Sequence, residues 1–162
     1  MNRESREGWM TGVQEWKNRL ARALDVANEN MEVFVAVIDL EDRRPAANRG
    51  IDAHIKAVRD TIRQWFTHLE PGDVLTWYLS GRVALCFSRR TAVEAVELIQ
   101  QLRALTIDYL PFRAGMAVWN GFESSGVLLA RAEFELLQGM EQDVEGPRMG
   151  PWLESRLKPM GK

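Results

Sequence analysis

Apolar residues recur at helical spacing from about Glu4 to Asn28, where Trp9, Val13, Trp16, Leu20, Ala23 and Leu24 share one side, so the segment predicts an amphipathic helix or a pair broken near Gly12. The period then changes. Val33 to Ile38 is an uninterrupted, largely β-branched run too short for an independent helix, and predicts a buried strand; Arg43-Arg44-Pro45 begins a loop. From about Ile51 to Leu69 the helical period returns, with Ile51, Ile55, Val58, Ile62, Trp65, Phe66 and Leu69 inward, until Glu70-Pro71-Gly72 stops it. Asp73 to Phe87 reads as strand, two-residue Ser80-Gly81 turn and strand, a β-hairpin. Thr91 and Glu94 have the spacing of a capping box opening a helix through about Leu105, with Val93, Val96, Ile99 and Leu102 inward. Phe112 to Trp119 predicts another strand, and Ser124 or Ser125 starts a helix ending near Gly139 or Met140. The Gly- and Pro-containing tail leaves room for one short strand around Trp152.

Helices alternating with strands around an embedded antiparallel hairpin predict an α/β sandwich with a mixed central sheet. The length of 162 residues suits one domain, with residues 1–28 as an N-terminal helical segment and 29–162 as the sheet-forming body. A hydrophobic fraction of 46% with 27% charged residues is globular, and a formal net charge of −2 provides no basic field for nucleic acid. The charged N-terminus leads into no uninterrupted apolar run, so neither a signal peptide nor a membrane span is expected, and the expected location is cytoplasmic. The lone Cys86, between Leu85 and Phe87 in a core strand, reads as a small buried hydrophobe and excludes an internal disulfide. His54 and His68 have no partner at metal-binding spacing.

The hairpin resembles the signature of the GGDEF (diguanylate cyclase) family, in which an Asp precedes a short apolar strand running into Arg-Tyr-Gly-Gly-Asp/Glu-Glu-Phe. Asp73 matches the leading Asp and Tyr78 the aromatic, while Leu79, Ser80, Gly81, Arg82 and Val83 occupy the five motif positions. Three more segments follow the family's order. Met10-Thr11-Gly12-Val13 is similar to its opening Leu-Thr-Gly-Leu, the run from Val33 to Asp39-Leu40-Glu41 to its first strand and Asp-x-Asp, and Leu128 to Leu137 to its Leu-Leu-x-x-Ala-Asp helix. The resemblance implies a mixed sheet flanked by helices.

It also implies what the chemistry would need. Cyclisation of the family's kind joins two nucleoside triphosphates and uses divalent metals held by carboxylates at the end of the first strand and in the hairpin turn. Asp39 fills the first place. Between Val74 and Ala92 there is no Asp or Glu, and Arg82 stands in the motif, so no catalytic residue, metal or cofactor is expected. Asn48 lies near the position of the family's guanine-reading asparagine, and Asp39, Asn48, Ser80, Gly81 and Arg82 together outline a vestigial ligand pocket. The family's inhibitory Arg-x-x-Asp becomes Glu70-Pro71-Gly72-Asp73, whose Glu would repel a phosphate.

Asp39 reads as a strand-end aspartate capping the following loop, and Arg82 as a solvent-exposed hairpin residue; a retained metal role and an anion-binding arginine are the respective alternatives. Trp9, Val13, Trp16 and Leu20 form one stripe at i, i+4, i+7 and i+11 and are the candidates for contact with a protein partner or a second copy. The expected function is a catalytically inactive GGDEF-like regulatory or scaffolding module. The alternatives are a non-catalytic sensor of GTP or cyclic di-GMP using Arg82, Arg43, Arg44 or Asn48, and an active enzyme with ligands displaced to Asp39, Glu41 and Asp42.

Overall fold

Side-chain alternation along the central strand sorts the core into two faces. The computed structural model describes residues 10–27, 32–40, 50–79, 81–107, 110–142 and 145–157. Its elements run β1 (Met10–Thr11), α1 (Val13–Val26), β2 (Val33–Asp39), α2 (Ile51–Trp65) continuing into a 3-10 turn (Phe66–His68), β3 (Val74–Leu79) and β4 (Arg82–Ser88). There follow α3 (Ala92–Ala104), β5 (Arg113–Val118), α4 (Ser125–Glu141), β6 (Gly146–Met149) and α5 (Pro151–Leu157). The sheet has the order β1-β3-β4-β2-β5-β6. The β3–β4, β4–β2 and β2–β5 pairs are antiparallel, and the outer β1–β3 and β5–β6 pairs are parallel.

Every residue of β2 is buried, because helices cover both sides of the sheet. Phe34, Ala36 and Ile38 pack with Leu75, Val83, Leu85, Phe87 and Met116 against the face carrying α2, α3 and α5. Val33, Val35 and Val37 point the other way, joining Val74, Ala84, Cys86 and Ala117 beneath α1 and α4. Large rings fill the first face: Phe34 stacks on Phe87 with centroids 5.3 Å apart, and Trp65 meets Phe112 edge-on at 6.1 Å. The Trp65 indole N–H donates to the Leu102 carbonyl at 3.0 Å, so the buried ring keeps its hydrogen bond.

On the other face α4 approaches β5 more closely than side chains normally allow. A Cβ added to Gly115 would lie 2.0 Å from the Ala132 carbonyl oxygen and 2.3 Å from the Leu136 amide nitrogen. Only a glycine lets helix backbone and strand backbone meet there.

Several expectations change at this level. Met10 and Thr11 are a short edge strand paired with Leu75 and Thr76, and Gly12 is the N-cap of α1, so no helix precedes that glycine among the described residues. Trp16 and Leu20, expected to offer an association surface, lie in the protein's own core, and the Trp16 indole donates to the Val74 carbonyl at 2.8 Å. These two residues of the stripe fold back on their own sheet, because α1 packs directly over β3, whereas Val13 is exposed. Val93 is exposed, the inner side of α3 being formed by Ala92, Ala95, Leu98, Ile99 and Leu102. The capping box is present, with Thr91 and Glu94 satisfying each other's backbone amides. In the tail the strand comes earlier, at Gly146–Met149, and Pro151 opens a helix, where its missing N–H costs nothing.

Candidate functional site

The two ends of the β3–β4 hairpin each bring an aspartate and an arginine together. At the tip the cause is strand register. The β2–β4 ladder runs from Val33 opposite Ser88 to Asp39 opposite Arg82, and the β2–β5 ladder sets Arg113 opposite Asp39 on the other side. Directly opposed residues share a sheet face, so Asp39 lies between two arginines on the α4 side. Arg82 donates from Nη2 and Nε to the same oxygen, Asp39 Oδ2, at 3.1 and 3.3 Å. The Asp39 side chain is 1% exposed and that of Arg82 18%, so Arg82 is no free surface residue, contrary to its sequence reading. The Arg82 guanidinium also lies 3.9 Å from Met140 Sδ in the last turn of α4, where a cation favours the helix's negative end.

Around this pair the hairpin closes tightly. The Leu40 amide donates to the Gly81 carbonyl at 2.7 Å, tying the turn to the end of β2. The pairing register shifts between Trp77 and Leu79, at Tyr78. Burial and, next, the Glu133 carboxylate push the Tyr78 phenol up to about 12, with Arg82 pulling in the opposite direction.

At the hairpin's base Asp73 is gripped more completely. Arg90 binds it through both nitrogens, Nη1 to Oδ1 at 2.9 Å and Nη2 to Oδ2 at 2.8 Å, a fork-to-fork pair. The Glu70 amide adds a hydrogen bond to Oδ2 at 2.8 Å, and the guanidinium rests 5.4 Å over the Phe87 ring. Arg89 adopts φ +59° between the strand and Arg90, turning the chain at the point where Arg90 folds back onto Asp73. The pairing with Asp73 raises the Arg90 pKa further. Glu70 extends an exposed carboxylate whose Oε2 is 3.9 Å from Arg90. Nearby, burial pushes the Cys86 thiol up to about 12, with Asp73 adding to the shift, as suits an inert core residue.

The structure thus unites Asp39, Gly81 and Arg82 at the tip and Glu70 with Asp73 at the base. Asn48, Ser80, Arg43, Arg44, Glu41, Asp42 and Trp9 lie outside the described residues. Arg90, Arg113 and Met140 were not singled out by sequence. The Arg89-Arg90 pair closing an apolar strand was visible, but its partner Asp73 is 17 positions away, and only the hairpin brings them into contact.

As a donor set for a divalent cation the tip is poor. Asp39 Oδ2 already accepts two N–H groups from a cation, and among the described residues no three His, Cys, Asp or Glu side chains converge to hold a metal. Among the same residues no helix is long and apolar enough to cross a membrane.

With six strands in this order and a β-hairpin carrying the site, the fold is that of a GGDEF domain, and solved structures agree. The cyclic di-GMP complex of the Caulobacter crescentus DgcB GGDEF domain superposes with a TM-score of 0.70 at 17% identity, over 86% of this chain and 91% of that one. The GGDEF domain of Pseudomonas aeruginosa YfiN gives 0.69 at 18% identity, covering 86% and 96%. The active GGEEF domain of a Vibrio cholerae diguanylate cyclase gives 0.68 at 11% identity, covering 84% and 92%. No protein-family model and no curated protein sequence matches the chain.

Proposed function

We propose that this is a catalytically inactive GGDEF-like domain serving as a regulatory or scaffolding protein-interaction module of bacterial cyclic di-GMP signalling in the cytoplasm. One observation carries the reading: the guanidinium of Arg82 sits on the Asp39 carboxylate, where the family resemblance calls for a metal. Two unit charges 4 Å apart interact by about 4 kcal/mol at an effective dielectric of 20, so a dication beside Arg82 meets roughly 8 kcal/mol of repulsion. An ion at that point would have to displace the arginine first. Incubated with GTP and magnesium or manganese, the purified protein should form no cyclic dinucleotide, and Gly81→Asp with Arg82→Glu should not restore it. Product above that of an Asp39→Ala preparation would overturn the reading.

A second reading rests on charge at the same place. Arg82 is partly open to solvent and Arg113 stands across β2 from it, an arrangement that suits a metal-free arginine contact to a nucleotide phosphate. The same preparation titrated calorimetrically with GTP and with cyclic di-GMP separates the two: saturable heat lost in Arg82→Ala favours the sensor. At the base no cyclic di-GMP binding is expected, because Arg90 and the Glu70 amide already occupy Asp73.

A further inference from the structure

Helix α4 is apolar on two sides. Leu128, Ala132, Leu136 and Gly139 are buried against the sheet, while Val127, Ala130, Phe134 and Leu137 lie exposed on the outside, Phe134 at 57%. A helix with one side in solvent ordinarily keeps that side polar, and an apolar second side signals a further contact. The outer residues are spaced three, four and three apart, and the next step of four reaches the exposed Glu141. That is the narrow seam by which one helix packs along another, so its occupant is a helix. Beside it a groove of about 290 Å³ is lined by Met116, Val127, Ala130, Phe134 and Pro151, with the charged Arg131 and Glu135 also on its wall, and has room for inserted side chains.

We propose that this seam pairs with the same seam of a second copy, antiparallel, about a two-fold axis at Phe134. Charge complementarity selects this occupant. The seam positions lie seven and four residues before Phe134 and three and seven after it, so the axis sets Phe134 on its counterpart, Ala130 opposite Leu137, and Val127 opposite Glu141. Glu141 then reaches the first turn of the other α4, whose positive dipole end favours a carboxylate, and the contact is made twice by symmetry. Small Ala130 lets the helices approach, and Leu137 of one copy faces the groove of the other. The seam from Val127 to Glu141 is only about 21 Å long, so the pair is weak and concentration-dependent.

The inference rests on reading the domain as a protein-interaction module, but its test uses no nucleotide. Sedimentation velocity of the full chain from micromolar to millimolar concentration should show a monomer–dimer equilibrium. Phe134→Glu should weaken it at least about tenfold, Glu141→Lys should weaken it less, and Val93→Glu, an exposed apolar site on α3, should leave it unchanged. Circular dichroism should be the same for all, since the replaced side chains are solvent-exposed. A monomer at every concentration, or a dimer indifferent to both α4 substitutions, overturns the proposal without touching the catalytic reading. GTP turnover in a seam-paired dimer overturns only the catalytic reading.

Discussion

The aspartate–arginine pairs at the two ends of the hairpin use the same chemistry to different ends. At the base, Asp73 has both oxygens bound by Arg90, a backbone amide on one of them, and an aromatic ring beneath the guanidinium. Both oxygens of that carboxylate are engaged inside the protein. At the tip, Arg82 uses one oxygen of Asp39, remains partly open to solvent, and faces a second arginine across β2. The manner of the arginine's grip, fork-to-fork on both oxygens at the base and on one oxygen at the tip, separates the two pairs where the residue types do not.

The sharpest way to break the comparison is to remove the base cation. Arg90→Ala leaves a 3% exposed aspartate without its counter-ion, and such losses cost about 3–5 kcal/mol. Thermal unfolding should move down by roughly 10 °C for a chain of this length. Arg82→Ala should cost less, about 1–3 kcal/mol, because Arg113 still stands opposite Asp39 and the Arg82 side chain, 18% exposed against 9% for Arg90, is held by fewer contacts. Equal losses from urea titrations of the two variants would make the pairs equivalent and remove the distinction.

A finer test uses the weak acid beside each pair. The Cys86 thiol and the Tyr78 phenol are both raised to about 12, so each stays protonated in the fold beyond the pH at which it ionises in the unfolded chain. A raised value gives stability that is whole below the unfolded pKa and declines as pH climbs to the folded one. Melting temperature should therefore fall from about pH 9 through the Cys86 window, with Tyr78 joining from about pH 10. Cys86→Ala should flatten the slope first, and Tyr78→Phe only its upper part, the smallest effect of the four substitutions. A melting temperature constant from pH 8 to pH 12 would contradict both assignments.

Local chemistry was legible along the chain, and long-range contacts were not. The capping box at Thr91 and Glu94, the hairpin, and the buried run of β2 follow from neighbours within a few residues, and the structure contains each of them. The periodicity of α1 identified an apolar side but not what that side meets, and Trp16 and Leu20 proved to meet their own sheet. Arg82 was read as exposed because its partner is 43 positions away and depends on the β2–β4 register. The tail strand was misplaced because Gly146–Met149 has no apolar alternation and exists by pairing with the edge of β5. The outward seam of α4 was overlooked for a related reason: a helix with apolar residues on two sides shows little contrast between them.

Gly115 has a mechanical consequence. With no Cβ between them at Gly115, the backbones of β5 and α4 touch there, which pins the helix against sliding or rolling on the side chains packed around that point. Strand and helix form a single beam. A load applied to the outside of α4 is borne by β5 without slack, and two residues from Gly115 that strand carries Arg113, level with Asp39 and the hairpin tip. The same stiffness means that a partner gripping α4 meets a surface already in its final shape, and loses little freedom in doing so.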